Sequence, residues 1–194
     1  MNPFQEYTLV QRALILAALL MAPIFAAAQV DYDAERAPLS LSVGGSFSYF
    51  GADYGGYHVM GPTAVVDFSP IIWDHVAAEA EGRWLTLNAS QGFREYNYLI
   101  GPVYRITLTR HPSVHPYVKG LVGAGIIDFP NNLAYGRYFA IAPGGGVDFI
   151  LSRRVRLRAD YEFQIWPNAP DIPGTPSGTM TPNGVSVGVT YRIF

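Results

Sequence analysis

The sequence predicts an all-β fold, an eight-stranded antiparallel up-and-down transmembrane β-barrel, on three observations. Apolar and polar residues alternate in eight separate stretches, the connections between them alternate short and long, and the strand charges share the polar phase. The alternation is clearest from Val155 to Trp166, where Val155, Leu157, Ala159, Tyr161, Phe163 and Ile165 interleave with Arg156, Arg158, Asp160, Glu162, Gln164 and Trp166. A period of two puts the two sets on opposite faces of a strand, whereas a helix would mix them.

Ahead of the strands, the run Ala13 to Phe25 is apolar and of signal-peptide length, and Ala26-Ala27-Ala28-Gln29 offers the small-x-small pattern of a cleavage site. Residues 1–28 therefore read as a signal peptide cut after Ala28, residues 29–38 as a short periplasmic segment, and residues 39–194 as the barrel. An uncleaved anchor is the alternative, but Ala13 to Ala28 contains Pro23 and falls short of the roughly 20 apolar residues that span a bilayer as a helix.

The first strand sets Leu39, Leu41, Val43, Gly45, Phe47 and Tyr49 against Ser40, Ser42, Gly44, Ser46 and Ser48. Five more follow near Tyr57 to Phe68, His75 to Leu87, Glu95 to Leu108, Pro116 to Ile127 and Tyr138 to Phe149, bounded by Gly, Pro, Asn or Ser. Val155 to Trp166 is the seventh, and the eighth sets Val185, Val187, Val189, Tyr191 and Ile193 against Ser186, Gly188, Thr190 and Arg192. Pro62, Gly120, Pro143 and the run Gly144-Gly145-Gly146 blur the phase of the second, fifth and sixth. The connections SPIIWD, TRHPSVH and LSRR are short; NASQGFR, DFPNNLAYGR and the proline-rich stretch from Pro167 to Asn183 are longer. Short periplasmic turns and longer outer loops are the pattern of a transmembrane barrel, with GADYGG a short exception among the outer loops.

With the phase set by apolar residues, Asp67, Glu79, Glu81, Arg83, Arg105, Lys119, Asp148, Arg156, Arg158, Asp160, Glu162 and Arg192 all fall on the polar face, six acids and six bases. A soluble barrel with an apolar interior is the competing arrangement. Its polar face would meet water and carry mixed Lys, Glu and Asn; here that face is largely Ser, Gly, Ala and Thr with balanced charges. Small residues and paired ions suit a crowded eight-stranded lumen, because an unpaired buried charge is costly. Aromatics near strand ends (Tyr49, Phe68, Trp84, Tyr98, Phe149, Tyr191) suit the interfacial girdles of the outward face.

Only 14% of residues are charged, against about 25% on average, and the net charge of -2 lacks the basic footprint of a nucleic-acid binder. Zero cysteines exclude disulfides, Cys-ligated metals and thiol nucleophiles. Lys119 is the sole lysine.

The closing GVTYRIF, the stretch VDFSPIIWDHVAAEAEGRWL (Val66 to Leu85), YLIGPVYRI and PGGGVDF resemble the small eight-stranded outer-membrane barrels of the OmpA and OmpX type. The resemblance covers the mature chain and rests on architectural patterns. It implies an outer-membrane location, contact with membrane lipid, and periplasmic chaperones and the barrel-assembly machinery as partners in biogenesis. The terminal Phe194 lies one residue beyond the lipid-facing phase that ends at Ile193. No peptidoglycan-binding domain is expected after the last strand.

Catalytic signals are few. His75, His111 and His115 fall at predicted periplasmic turns, and His58 near Asp53 is the one candidate for lipid-modifying chemistry, with no serine beside it. Glu79, Glu81 and Arg83, and Arg156, Arg158, Asp160 and Glu162, read as a salt-bridge network filling the lumen, with Arg158 expected on Glu79, Glu81, Asp160 or Glu162. In RRVRLR, alternation sends Arg156 and Arg158 inward and leaves Arg153 and Arg154 in a turn. The triple glycine lacks the strand-then-helix context of a phosphate loop and reads as close packing. The expectation is a non-enzymatic outer-membrane barrel without metal or cofactor, structural or surface-interacting, with a small passive pore and a lipid-modifying enzyme as alternatives. Loop 167–183 is the candidate for an external ligand.

Overall fold

The computed structural model describes residues 39–53, 58–70, 75–86, 92–110, 113–128, 135–169 and 178–194, and ten strands occur among them. The expected signal peptide and the segment 29–38 lie outside the described residues. The barrel strands are β1 (Ser40–Gly51), β2 (His58–Ser69), β3 (Val76–Thr86), β4 (Arg94–Arg105), β5 (Val114–Asp128), β6 (Tyr135–Ile150), β7 (Val155–Phe163) and β10 (Asn183–Arg192). β8 (Trp166–Pro167) and β9 (Thr179–Met180) form a two-stranded extension. Each barrel strand pairs antiparallel with its neighbours, and β1 closes the ring on β10 from Ser42↔Arg192 to Gly51↔Asn183. Closure leaves the barrel without an edge strand, which a sheet in hydrocarbon requires.

The strands are longer in places than the pattern suggests. β5 and β6 pair without a gap from Val114↔Phe149 to Asp128↔Tyr135, straight through Gly120↔Pro143. The prolines weaken only one side each. Pro62 pairs with Phe47 but interrupts the ladder to β3, Pro102 pairs with Ala78 but interrupts the ladder to β5, and Pro143 interrupts the ladder to β7. A proline lacks the single N–H that a strand offers to one neighbour, so the other neighbour is unaffected. Sequence alternation blurs at such residues, while the register does not slip.

The β7–β10 ladder continues past the ends of both strands, and Ile165 still pairs with Ile141 of β6. Gln164 N–H donates to the Pro182 carbonyl, and Trp166↔Met180 and Pro167↔Thr179 extend the same register, so the stretch from Pro167 to Asn183 is a hairpin at its base. Ala169, Met180 and Pro182 are buried there, and only part of that stretch is the open surface the sequence suggests.

Burial alternates inside out. Phe47 and Ile100 are 58% and 60% exposed on the outer face, while Asp67, Glu79, Arg83, Lys119 and Glu162 are buried in the lumen. Trp84 donates from Nε1 to Tyr98 Oη at 3.2 Å on the outer surface, an amphipathic pair near the strand ends. A 12-residue strand such as β1 extends about 40 Å at roughly 3.3 Å per residue. Tilted about 45°, it spans about 28 Å, comparable to the roughly 25 Å apolar band of such barrels.

Candidate functional site

The lumen is layered. At the end carrying the longer loops, Phe50, Val59, Leu85, Leu99, Leu121, Ile127, Trp166 and Met180 pack into one apolar cluster. Gly125 faces that cluster, and a Cβ there would run into the Trp166 ring, so its missing side chain is what admits the indole. The cluster is tied to the charges below by a chain of donors: Trp166 Nε1 donates to Gln164 Oε1 at 2.7 Å, and Gln164 Nε2 to Glu162 Oε1 at 2.8 Å.

Glu162 is also where the ion network begins. Arg83 from β3 reaches across to Glu162 at 2.8 Å and binds Glu81, two residues away on its own strand, at 2.7 Å. Its guanidinium stacks over Phe50 with 4.3 Å to the ring centroid, and its Nε donates to Thr63. Lys119 from β5 lies at the centre, its Nζ against Glu81, 3.0 Å from Glu162, 3.1 Å from Asp160 and 3.9 Å from Glu79. Arg158 from β7 holds Glu79 at 2.6 Å and Asp148 at 3.1 Å, and stacks over Tyr117, whose hydroxyl donates to Asp160 at 2.6 Å. Arg105 joins Asp67 at 2.6 Å to Asp148 at 3.5 Å.

These contacts follow from strand phase and barrel width. Alternate residues face inward, and in a barrel of eight strands a long cation reaches carboxylates on strands that are not its neighbours. Gly144 and Gly146 are part of the fit: a Cβ at Gly144 would lie 3.0 Å from Lys119 Cε, and one at Gly146 2.7 Å from Tyr117 Oη. The carboxylates of Glu81, Asp160 and Glu162 have the spacing of a cation cage, and the Lys119 ammonium fills that position.

The inward set extends beyond the twelve charges read from the sequence. Glu95 on β4 is fully buried and accepts from Asn97 Nδ2 at 2.9 Å, a seventh lumenal acid that its alternation with Asn97 and Leu99 makes legible. Tyr117 is likewise an inward polar anchor. Arg158 takes Asp148, a partner outside the four expected acids, as well as Glu79. Arg156 and Arg192 face inward but stand apart from the network, at the end with the short turns. His58 is exposed and stacks on Tyr49 at 5.2 Å, and the Asp53 carboxylate instead accepts from Thr181 N–H and Oγ1. Among the described residues, no hydrogen bond joins His58 to Asp53 or to a serine.

Solved structures share this architecture. Neisserial surface protein A aligns at 12% identity and a TM-score of 0.58, over 79% of this chain and 96% of that one. The fold is that of the small eight-stranded outer-membrane barrels. The N-terminal barrel domain of Pseudomonas aeruginosa OprF aligns at 12% identity and 0.54 over 79% and 97%. Ail, the attachment invasion locus protein of Yersinia pestis, in complex with the heparin analogue sucrose octasulfate, aligns at 17% identity and 0.51 over 80% and 97%. No family model and no curated protein matches the chain.

Proposed function

We propose that the chain is an integral outer-membrane protein with a closed lumen, whose role is structural or surface-interacting. The observation that carries this reading is the inverted polarity of the barrel: an exterior of Val, Ile, Phe and Tyr around an interior in which ten ion-pair contacts are sequestered. Such an exterior would aggregate in water and is solvated by lipid tails. The short turns then face the periplasm and the β8–β9 hairpin faces outward. Outer-membrane lipid is the immediate partner, periplasmic chaperones and the barrel-assembly machinery act during folding, and loop 167–183 is the surface offered to an external ligand.

The filled lumen argues against a passive pore. Trp166, Phe50, Leu85 and Leu121 are fully buried across its upper layer, and the ion network occupies the layer below. Export uses residues 1–28 as a cleaved leader. Fractionation of envelopes tests the location, and intact mass of the recovered protein should begin at Gln29. Recovery of the folded chain from the soluble fraction without detergent would overturn the membrane reading. In planar bilayers the purified barrel should give no stable large conductance, and reproducible ion-selective openings would favour the pore. Unchanged lipid A and phospholipid acyl profiles on expression would agree with a non-enzymatic role; an acyl change abolished by His58→Ala would reverse it.

A further inference from the structure

The lumenal charges are unevenly mated along the barrel axis. Four cations, Arg83, Arg105, Lys119 and Arg158, hold six carboxylates, Asp67, Glu79, Glu81, Asp148, Asp160 and Glu162, and each carboxylate touches at least one of the four. Two arginines are left over. Among the described residues, neither Arg156 nor Arg192 makes an ion pair or a side-chain hydrogen bond, and Arg192 Nε is buried with no acceptor. They are neighbours: Arg156 on β7 pairs with Thr190, two residues before Arg192 on β10, which places both side chains on the inward face one diagonal step apart. Long side chains on diagonal positions of one face reach each other, so two like charges there repel.

Both arginines line, with Arg105, a cavity of about 330 Å³ at the short-turn end of the lumen. Arg105 commits Nη2 to Asp67 and Nε to Asp148, and its Nη1 bonds to no group among the described residues. The carboxylates nearest this end are therefore already engaged, Asp148 by Arg158 as well. Ser40, Ser69, His75, Thr107 and His115 complete the polar wall, and apart from the main-chain carboxylate of Phe194 no carboxylate occurs among the described residues that line it. Three guanidiniums converging on a concave space with spare planar N–H donors match the oxygens of a tetrahedral oxyanion, for which bidentate arginine geometry is suited.

We propose that this cavity is a binding site for a phosphate-type oxyanion, held chiefly by Arg156 and Arg192. The same chemistry is offered by free phosphate and soluble phosphomonoesters, or by the phosphate of a lipid headgroup at the rim, where Leu39 and Phe194 are exposed beside the cavity. The site requires the closed barrel and does not depend on a role at the cell surface.

The test uses the full barrel refolded in zwitterionic micelles at about 0.15 M salt, where surface attraction beyond roughly 8 Å is screened. Inorganic phosphate and glycerol phosphate are titrated by calorimetry. In the second arm, the protein is refolded in phosphatidylcholine vesicles with and without phosphatidylglycerol, extracted, and its retained lipid phosphorus counted. The variants are Arg156→Gln, Arg192→Gln and their double, with Arg153→Gln in the exposed turn as control. Losing charge-assisted hydrogen bonds should weaken binding about tenfold or more per arginine. Phosphate binding by wild type and Arg153→Gln but not by the double variant supports the site with a soluble ligand. Retention of phosphatidylglycerol alone, lost in the double variant, supports it with a lipid ligand. If the double variant fails to fold, the single variants and Arg156→Lys, which keeps the charge without the planar fork, carry the comparison. Absence of binding in both arms, or equal binding by wild type and the glutamine variants, overturns the proposal.

Discussion

Lys119→Met removes the hub of the lumenal network while nearly preserving its volume, so packing against Gly144 changes little. The contact of Lys119 with Glu162 at 3.0 Å amounts to about 5–6 kcal/mol at an effective dielectric of about 20, much of it offset by the cost of burying both ions. What decides the outcome is what the lysine leaves behind. Glu81 and Glu162 retain Arg83, and Glu79 retains Arg158. Asp160 loses the one cation in ion-pair contact with it among the described residues and keeps the Tyr117 hydroxyl. Stranding a buried carboxylate in this way costs about 3–5 kcal/mol. Asp160→Asn alone should cost less, about 1–2 kcal/mol, because the amide oxygen still accepts from Tyr117. In the double variant the stranded charge is gone, so its loss should fall short of the sum of the singles by at least about 1.5 kcal/mol. The assay is reversible urea unfolding in lipid vesicles followed by tryptophan fluorescence. A Lys119→Met loss below about 1 kcal/mol, or strictly additive singles, would refute the assignment of Asp160 to Lys119.

Ala159→Arg and Arg158→Ala test the two faces of β7 at adjacent positions. Ala159→Arg places a charge on the lipid face and should cost about 2–4 kcal/mol in bilayers, with no lumenal substitution able to rescue it. Arg158→Ala should cost about 3–5 kcal/mol by taking the close partner from Glu79, which keeps only Lys119 at 3.9 Å, and leaving Asp148 to Arg105 at 3.5 Å, part of it recovered by Glu79→Gln; a silent Arg158→Ala would contradict the buried network. Trp166→Ala should lose about 3–5 kcal/mol and raise leak conductance in planar bilayers, and an unchanged leak would mean that the apolar layer is not the seal. Because Lys119 is the sole lysine and is buried, amine-reactive reagents should modify it only after unfolding, as read by peptide mass; rapid labelling of the folded barrel would disprove the closed lumen.

The eight barrel strands, their succession along the chain and the face of each residue within them are legible in the sequence, because a period of two is a local property of the backbone and survives without knowledge of neighbours. Leu157 outward and Arg158 inward follow from their own strand, and Glu95 was legible by the same rule. Who meets whom across the lumen is a property of the closed barrel. The contact of Arg83 with Glu162, or of Arg105 with Asp67, depends on barrel closure and on how far one strand slides past the next, quantities summed over every pairing in the ring and written in no single segment. The same holds for the continuation of β7 and β10 into β8 and β9 and for the prolines that break one ladder and spare the other. It also holds for the segregation of Arg156 and Arg192 from the acids: the six acids and six bases read from the sequence balance, and Glu95 adds a seventh acid, but ion pairing acts over a few ångströms, and the axial height at which each charge enters the lumen leaves these two arginines without an ion-pair contact among the described residues.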